Sequence, residues 1–246
     1  MYSLNFDVII IGGGMTGLAM AGQLGGLGLK IAIIEKKIPE PYSSTQDFDL
    51  RVSALSPQSA KMLENIGAWE CLKSMRFCPY RQMRVWEMRG FGDVTFEAAK
   101  IGEPYLGYIV ENRIVQLALL ESIEKIKEVN ILSPATCLTF DRNGSGVSVT
   151  LEDQRVLKCR LLIGADGADS EVRDSFGMSI RSDAYNQSCL VASVITDYPQ
   201  QEITWQRFTS SGPQAFLPLS GHHASLVWYD QREIIDSLIK LDLPEL

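Results

Sequence analysis

The sequence predicts an α/β fold in which two domains interleave along one chain. Three observations carry this. Residues 6–37 read as strand, helix and second strand, a βαβ unit within about 30 residues. Segments near 83–96, 137–164 and 187–229 are rich in β-branched and aromatic residues and read as mainly antiparallel strands. Between them a helical pattern returns at 112–126, so each domain is built from more than one stretch of chain. The boundaries that follow are 1–75 and 107–178 for the βαβ-containing domain, and 76–106 and 179–246 for the sheet domain.

The elements follow in order. Phe6–Ile11 is a short apolar run suited to a parallel strand buried on both faces. Leu18, Met20, Ala21, Leu24 and Leu27 then recur at helical spacing, and Gly25-Gly26 marks the fraying end. Lys30–Glu35 is the second strand. In "LSPQSAKMLENIGAWECL", Ser56 can cap a helix, Pro57 suits its first turn, and Gly67 suits its stop. Met83, Val85 and Trp86 before Gly90-Phe91-Gly92, with Val94 and Phe96 after it, read as a β-hairpin. Val115, Ala118, Leu119, Ser122, Ile123 and Ile126 share one helical face. Asn143-Gly144 suits a hairpin turn, and Leu161–Ala165 reads as a buried strand. Asp230–Leu241 reads as a helix. Trp86, Trp205, Phe208, Phe216 and Trp228 lie on strands. Core packing is their default role, and lining an aromatic pocket the alternative.

Composition narrows the function classes. The chain has 246 residues and a net charge of −7, which argues against nucleic acid as a partner, because phosphate binding needs a basic face. The apolar run from Val8 to Leu29 is interrupted by glycines, so no stretch reaches the ~18–20 uninterrupted residues of a spanning helix. The N-terminus lacks a secretory pattern, and the five cysteines are an odd number without CxxC pairing, which points to reduced thiols in a cytoplasmic protein. With His222 and His223 the only histidines and no acid or cysteine at ligand spacing, they read as a polar turn rather than a metal site.

Gly12-Gly13-Gly14-Met15-Thr16-Gly17 fits G-x-G-x-x-G in the required context, between a strand and a helix. Gly12 permits the tight turn, Gly14 lets backbone approach a pyrophosphate at the helix N-terminus, and Gly17 lets helix and strand pack closely. Glu35 closes the second strand where an acid can accept hydrogen bonds from ribose hydroxyls. The first domain is therefore Rossmann-like and holds the ADP part of a dinucleotide; NAD and FAD remain open on this motif alone.

The remaining motifs resemble a family. "GGGMTGLA" at 12–19, "IIEK" at 33–36, "LRVSALSP" at 50–57, "VWE" at 85–87, "GYIVENRIVQLAL" at 107–119, "IGADGADSEVR" at 163–173 and "AFLPLS" at 215–220 are similar to the flavoprotein aromatic hydroxylases related to para-hydroxybenzoate hydroxylase. The likeness is greatest to the 2-polyprenylphenol hydroxylases of ubiquinone biosynthesis, and it covers essentially the whole chain. It implies a para-hydroxybenzoate hydroxylase-like FAD-binding domain interwoven with a β-sheet substrate domain. It implies that FAD is held by Gly12, Gly14, Met15, Thr16 and Gly17, by Glu35 and Lys36, by Arg51, by Arg113 and Gln116 on one helix face, and by Asp166-Gly167. A planar arginine fork suits phosphate, and residues three apart on a helix share a face.

The chemistry implied is reduction of FAD by NAD(P)H, activation of O₂ by the reduced flavin and hydroxylation of an electron-rich phenol ring. No protein nucleophile or metal is needed. The substrate is a hydrophobic polyprenyl phenol, which implies peripheral contact with the inner face of a membrane and with other proteins of ubiquinone synthesis. One motif of the family, G-D-A-A-H-x-x-x-P, does not occur; the chain's Gly92-Asp93 lies in the hairpin. A fragment or a truncated relative is expected on that ground, with an incomplete flavin site and exposed apolar sheet that would invite homo-oligomers. Two other readings stay open: a non-catalytic relative or assembly subunit, and an FAD-dependent reductase of the same superfamily.

Overall fold

The computed structural model describes residues 3–144 and 146–241. The chain opens with β1 (Ser3–Ile11), α1 (Met15–Gly25), β2 (Ile31–Ile34), β3 (Val52–Leu55), α2 (Pro57–Asn65) and α3 (Trp69–Met75). It continues through β4 (Cys78–Tyr80), β5 (Gln82–Glu87), β6 (Asp93–Glu97), β7 (Gly107–Glu111), α4 (Asn112–Ile123) and β8 (Val129–Leu132). Then come β9 (Cys137–Asn143), β10 (Gly146–Leu151), β11 (Val156–Gly164), α5 (Glu171–Ser175) and β12 (Ser188–Ile195). β13 (Ile203–Phe208), β14 (Pro213–Pro218), β15 (His223–Asp230) and α6 (Arg232–Leu238) complete it.

Two compact units emerge. The first comprises Met1–Ser44, Met62–Ser74 and Arg113–Arg181. Its sheet has the order β8-β2-β1-β11-β10-β9. β1 is central and parallel to both neighbours: Val8–Ile11 pair with Ile31–Ile34 on one side and with Leu161–Gly164 on the other. One core cluster packs Ile9, Ile11, Ala32, Ile34, Val149, Leu151 and Leu157. On α1, Gly22 makes room for Ile66, and Gly25 for Ile126 and Val129; a Cβ at either glycine would meet these side chains at 2.9–3.2 Å. The buried face of α4 carries Val115, Ala118, Leu119, Ser122 and Ile123, as its spacing predicts, while Ile126 falls beyond its end.

Leu161–Ala165 departs from the reading as a buried strand. Leu161 is 52% exposed, although Leu157 and Cys159 of the same strand are buried. The unbroken apolar run signals a strand correctly, but only part of its length is covered.

The second unit comprises Thr45–Lys61, Met75–Asn112 and Ser182–Leu246. Its larger sheet has the order β12-β15-β14-β13-β5-β6 and is antiparallel except where β13 runs parallel to β5. The expected hairpin is β5–β6, with Val85 opposite Val94. A three-stranded sheet, β3-β7-β4, packs Cys78, Tyr80 and Ile109 with Leu219, flanked by Phe48, Val52 and Met83. Residues 45–61 and 107–112, read from sequence with the first domain, cluster with this unit because β3 and β4 both pair with β7. The helix start at 56–57 forms as expected: the Ser59 amide donates to Ser56 Oγ at 3.1 Å.

Candidate cofactor site

In the first unit the carboxyl ends of β2, β1 and β11 lie side by side, and they lead into Glu35, the glycine turn and Asp166-Gly167 in that order. This is where parallel α/β sheets bind ligands. The Gly12 amide donates to Ile34 O at 2.9 Å, and the Ala165 amide donates to Ile11 O at 2.7 Å. These two bonds join the glycine turn to the strand ends on both sides.

The glycines have separate reasons. Gly12 has φ of +103°, and a Cβ there would lie 2.3 Å from Ala165 O. A Cβ at Gly17 would lie 2.0 Å from Gly12 O, so the first turn of α1 sits directly on the loop. Gly14 is different. Its φ of −71° is open to any residue, and nothing lies within 4 Å of a Cβ built on it. It stands at the N-cap of α1 without a side chain to satisfy the first amides, so the amide end beyond Met15 and Thr16 is open to an acceptor.

Glu35 is more committed than the sequence suggests. One carboxylate oxygen accepts from the Gly13 amide at 2.5 Å, and the other accepts from the Lys37 amide at 2.9 Å. It thus fixes the glycine turn. Beside it lies a cavity of about 150 Å³ lined by Gly12, Glu35, Lys36, Ala135, Cys137 and Asp166, among others. Lys36 pairs with Glu171 at 2.9 Å, and this hydrogen bond, with the attraction between the charges, raises its ammonium pKa. Burial pushes the Cys137 thiol up to about 12, so it stays protonated.

Helix α4 meets the same turn. Gln116 Nε2 donates to Gly13 O at 2.6 Å. Arg113 Nη1 donates to Glu40 O at 3.0 Å and Pro41 O at 3.3 Å, tying down the loop after β2. Their shared helix face is therefore directed at the chain that follows β1 and β2. Arg51 belongs to the second unit, is exposed and immediately precedes β3; its carbonyl accepts from the Asn112 amide at 2.9 Å.

Asp166 ends β11's excursion beside the glycine turn, followed by Gly167 at φ +93°. Its Oδ1 accepts from Ser170 Oγ at 2.6 Å, and its Oδ2 from the Val172 amide at 3.2 Å. Burial alone would raise the carboxyl pKa. The Ser170 hydroxyl and the amides of the turn outweigh burial and lower it. A carboxyl lowered on folding adds stability that is complete above its unfolded pKa, about 3.9, and is lost as pH falls through the folded value. Asp166→Asn is therefore expected to cost roughly 1 kcal/mol at pH 7, and clearly less at pH 3, in urea unfolding at the two pH values. An equal cost at both would show that the charge is not what matters.

Ser170 also caps α5, accepting from the Arg173 amide at 3.1 Å. Ser170 and Glu171 have no role that the sequence alone assigns. A serine just ahead of a short helical run was the readable signal for the first. The Lys36–Glu171 pair spans distant stretches of chain and left no local trace.

In the second unit, Trp86, Trp205, Phe216 and Trp228 line an apolar hollow of about 980 Å³ with Leu226 and the loop 196–201. Trp86 and Trp205 meet edge to face, with centroids 5.9 Å apart. Phe208 is not among its walls and is 44% exposed. His223 meets Phe48 at a tilt, with ring centroids 4.6 Å apart.

Comparison with known proteins shows the family to which the chain belongs. The model of the FAD binding domain family matches residues 5–234. The chain is 37% identical over 240 residues to 3-demethoxyubiquinol 3-hydroxylase of Escherichia coli (strain K12), covering 98% of this chain and 61% of that protein. It is 35% identical over 254 residues to the mitochondrial ubiquinone biosynthesis monooxygenase COQ6 of Homo sapiens, covering 96% of this chain and 53% of that one. The chain thus spans little more than half the length of these curated relatives. Among solved structures, PqsL of Pseudomonas aeruginosa, described as a probable FAD-dependent monooxygenase, superimposes with a TM-score of 0.81 at 22% identity, over 95% of this chain and 63% of that one; this likeness shows the fold. With a family match that runs almost from end to end, the chain belongs to the FAD binding domain family.

Proposed function

We propose that the first unit holds the ADP half of FAD, and that the protein works as a NAD(P)H-dependent flavin monooxygenase that hydroxylates the ring of a polyprenylated phenol in ubiquinone synthesis. The observation that carries this is the meeting of the glycine turn, Glu35 and Asp166-Gly167 at the ends of three adjacent parallel strands. The residues fit the cofactor. Gly14 leaves open space in front of the uncapped amides of α1, where a pyrophosphate needs close backbone approach. Gly12, Met15, Thr16 and Gly17 complete that cradle. Glu35 and Lys36 flank the hollow suited to the adenosine end. Arg113, Gln116 and Asp166-Gly167 of the same unit serve the rest of the molecule, and Arg51 is read as a cofactor contact on the family resemblance alone.

Bound FAD would supply the redox and oxygen chemistry, with NAD(P)H as reductant and O₂ as co-substrate. The chain's own residues bind and orient it: Gln116 and Glu35 hold the turn rigid, and Asp166 fixes the neighbouring loop. The hydroxylase names of the relatives above support the substrate class. A polyprenyl phenol is dissolved in lipid, so the working protein meets a membrane surface. Among the described residues no helix is long and apolar enough to cross one.

The test is the visible spectrum of the purified chain after incubation with FAD and removal of free ligand. Retained flavin near one per chain is expected, followed by NADPH oxidation that rises with an added polyprenyl phenol. A colourless chain that turns yellow once extended to the length of its relatives would mark the flavin site as incomplete here, and a folded protein that stays colourless in both forms would overturn the cofactor reading. Bound flavin that NADPH reduces with no phenol-dependent turnover would favour a reductase.

A further inference from the structure

We infer that Arg76 and Glu111 form a clamp that positions the strap leading into Arg51. This rests on the reading of Arg51 as a cofactor contact. Glu111, at the end of β7, is 2% exposed and yet carries a carboxylate with three donors. Arg76 Nε donates to it at 2.6 Å, Arg76 Nη2 at 2.7 Å, and the Asp49 amide at 2.8 Å. The Arg76 guanidinium then reaches the strap again: Nη1 donates to Gln46 O at 3.1 Å, and Nη2 to Asp47 O at 2.8 Å. Its central carbon Cζ lies over the Phe48 ring, 3.9 Å from the ring centre. Four consecutive residues, 46–49, are thus held by one ion pair.

The geometry asks for these two residue types. The bidentate contact needs a planar fork, which lysine lacks. The third bond, from the Asp49 amide, needs an acceptor that can serve several donors at once. The strap has no ladder of its own until β3 begins at Val52, which pairs with Glu111 itself. Beyond the clamp, the Asn112 amide holds Arg51 O at 2.9 Å, and Ser53 Oγ donates to Asn112 Oδ1 at 2.6 Å. Arg51 therefore leaves the strap between two fixed points, which presets its direction and lowers the ordering cost of gripping a phosphate or ring.

The experiment is a double-mutant cycle read by FAD affinity, with hydrogen exchange of the strap as a second measurement. Arg51→Ala and Arg76→Lys are each expected to weaken FAD at least fivefold. The double variant should fall no further than Arg51→Ala alone, because Arg76 acts through Arg51. Exchange at 46–51 should speed up in Arg76→Lys and in Glu111→Gln, while β1 and β2 stay protected. If Arg51→Ala leaves affinity unchanged, the cofactor role of Arg51 fails, and the exchange result still decides the clamp. If Arg51 matters and Arg76→Lys does not, or the two effects simply add, or the strap stays protected, the clamp is overturned.

Discussion

Gly17→Ala is expected to lower the stability of the chain by about 3 kcal/mol or more in the absence of any ligand. The new methyl would stand 2.0 Å from Gly12 O and 3.3 Å from Ala165 Cβ. Neither neighbour can retreat cheaply. Gly12 is held by Ile34 O through its amide, and Ala165 by Ile11 O, so displacing them disturbs three adjacent strand ends together. α1 cannot lift away freely either, because Gly22 and Gly25 seat it against Ile66, Ile126 and Val129. A folded domain has a margin of roughly 5–15 kcal/mol, so one methyl would remove a large share of it. For a chain of this size the loss corresponds to a fall in Tm of about 6–12 °C, read by circular dichroism. A fall of less than about 2 °C would mean that the loop is soft and that Gly17 is not there for packing.

The parts of this site that sequence revealed are the parts whose physics is local. Gly12, Gly14 and Gly17 sit within six residues of one another, between an apolar run and a helical pattern, and their spacing alone predicts the turn. The β5–β6 hairpin and the α4 face of Val115, Ala118, Leu119 and Ile123 are legible for the same reason: periodicity is written in adjacent residues. What escaped is set by chain ends that meet only in the folded state. β8, the edge strand of the first sheet, is four residues long and takes its identity from pairing with β2. The sheet β3-β7-β4 joins three short strands from separate regions. Glu35 was legible as an acid at a strand end; that it grips the Gly13 amide was not, because that depends on how closely the turn folds back. Arg76 and Glu111 carry no local signal of a role, which comes only from their buried pairing and from the bonds that each makes to the same strap. The exposed Leu161 shows the converse error: an apolar run specifies a strand, but what covers it is a property of the whole fold.

Gly14→Val separates cofactor binding from folding more sharply than any other change at this turn. The residue sits at φ −71° and ψ 177°, an extended conformation that valine favours, and its Cβ would meet nothing within 4 Å. Valine is a poorer helix cap than glycine, but it also restricts the unfolded chain; the two effects oppose each other, and stability should stay within about 1 kcal/mol of the parent. The branched side chain would nevertheless project into the space ahead of the first amides of α1. A pyrophosphate seated there needs backbone at contact distance, and two methyl groups would hold it away from those donors. FAD affinity is expected to fall by at least 100-fold, about 2.7 kcal/mol, measured by flavin fluorescence titration beside an unfolding curve on the same samples. The contrast with Gly17→Ala is what gives the experiment its force. If valine at 14 destabilises the free chain as much as alanine at 17, the open space is filled by the protein in solution and Gly14 belongs to the packing. If neither stability nor affinity changes, no phosphate approaches α1 at this point, and the cradle assigned to the glycine turn is wrong even though its fold is right. Only loss of the ligand with retention of the fold assigns the space over Gly14 to the cofactor.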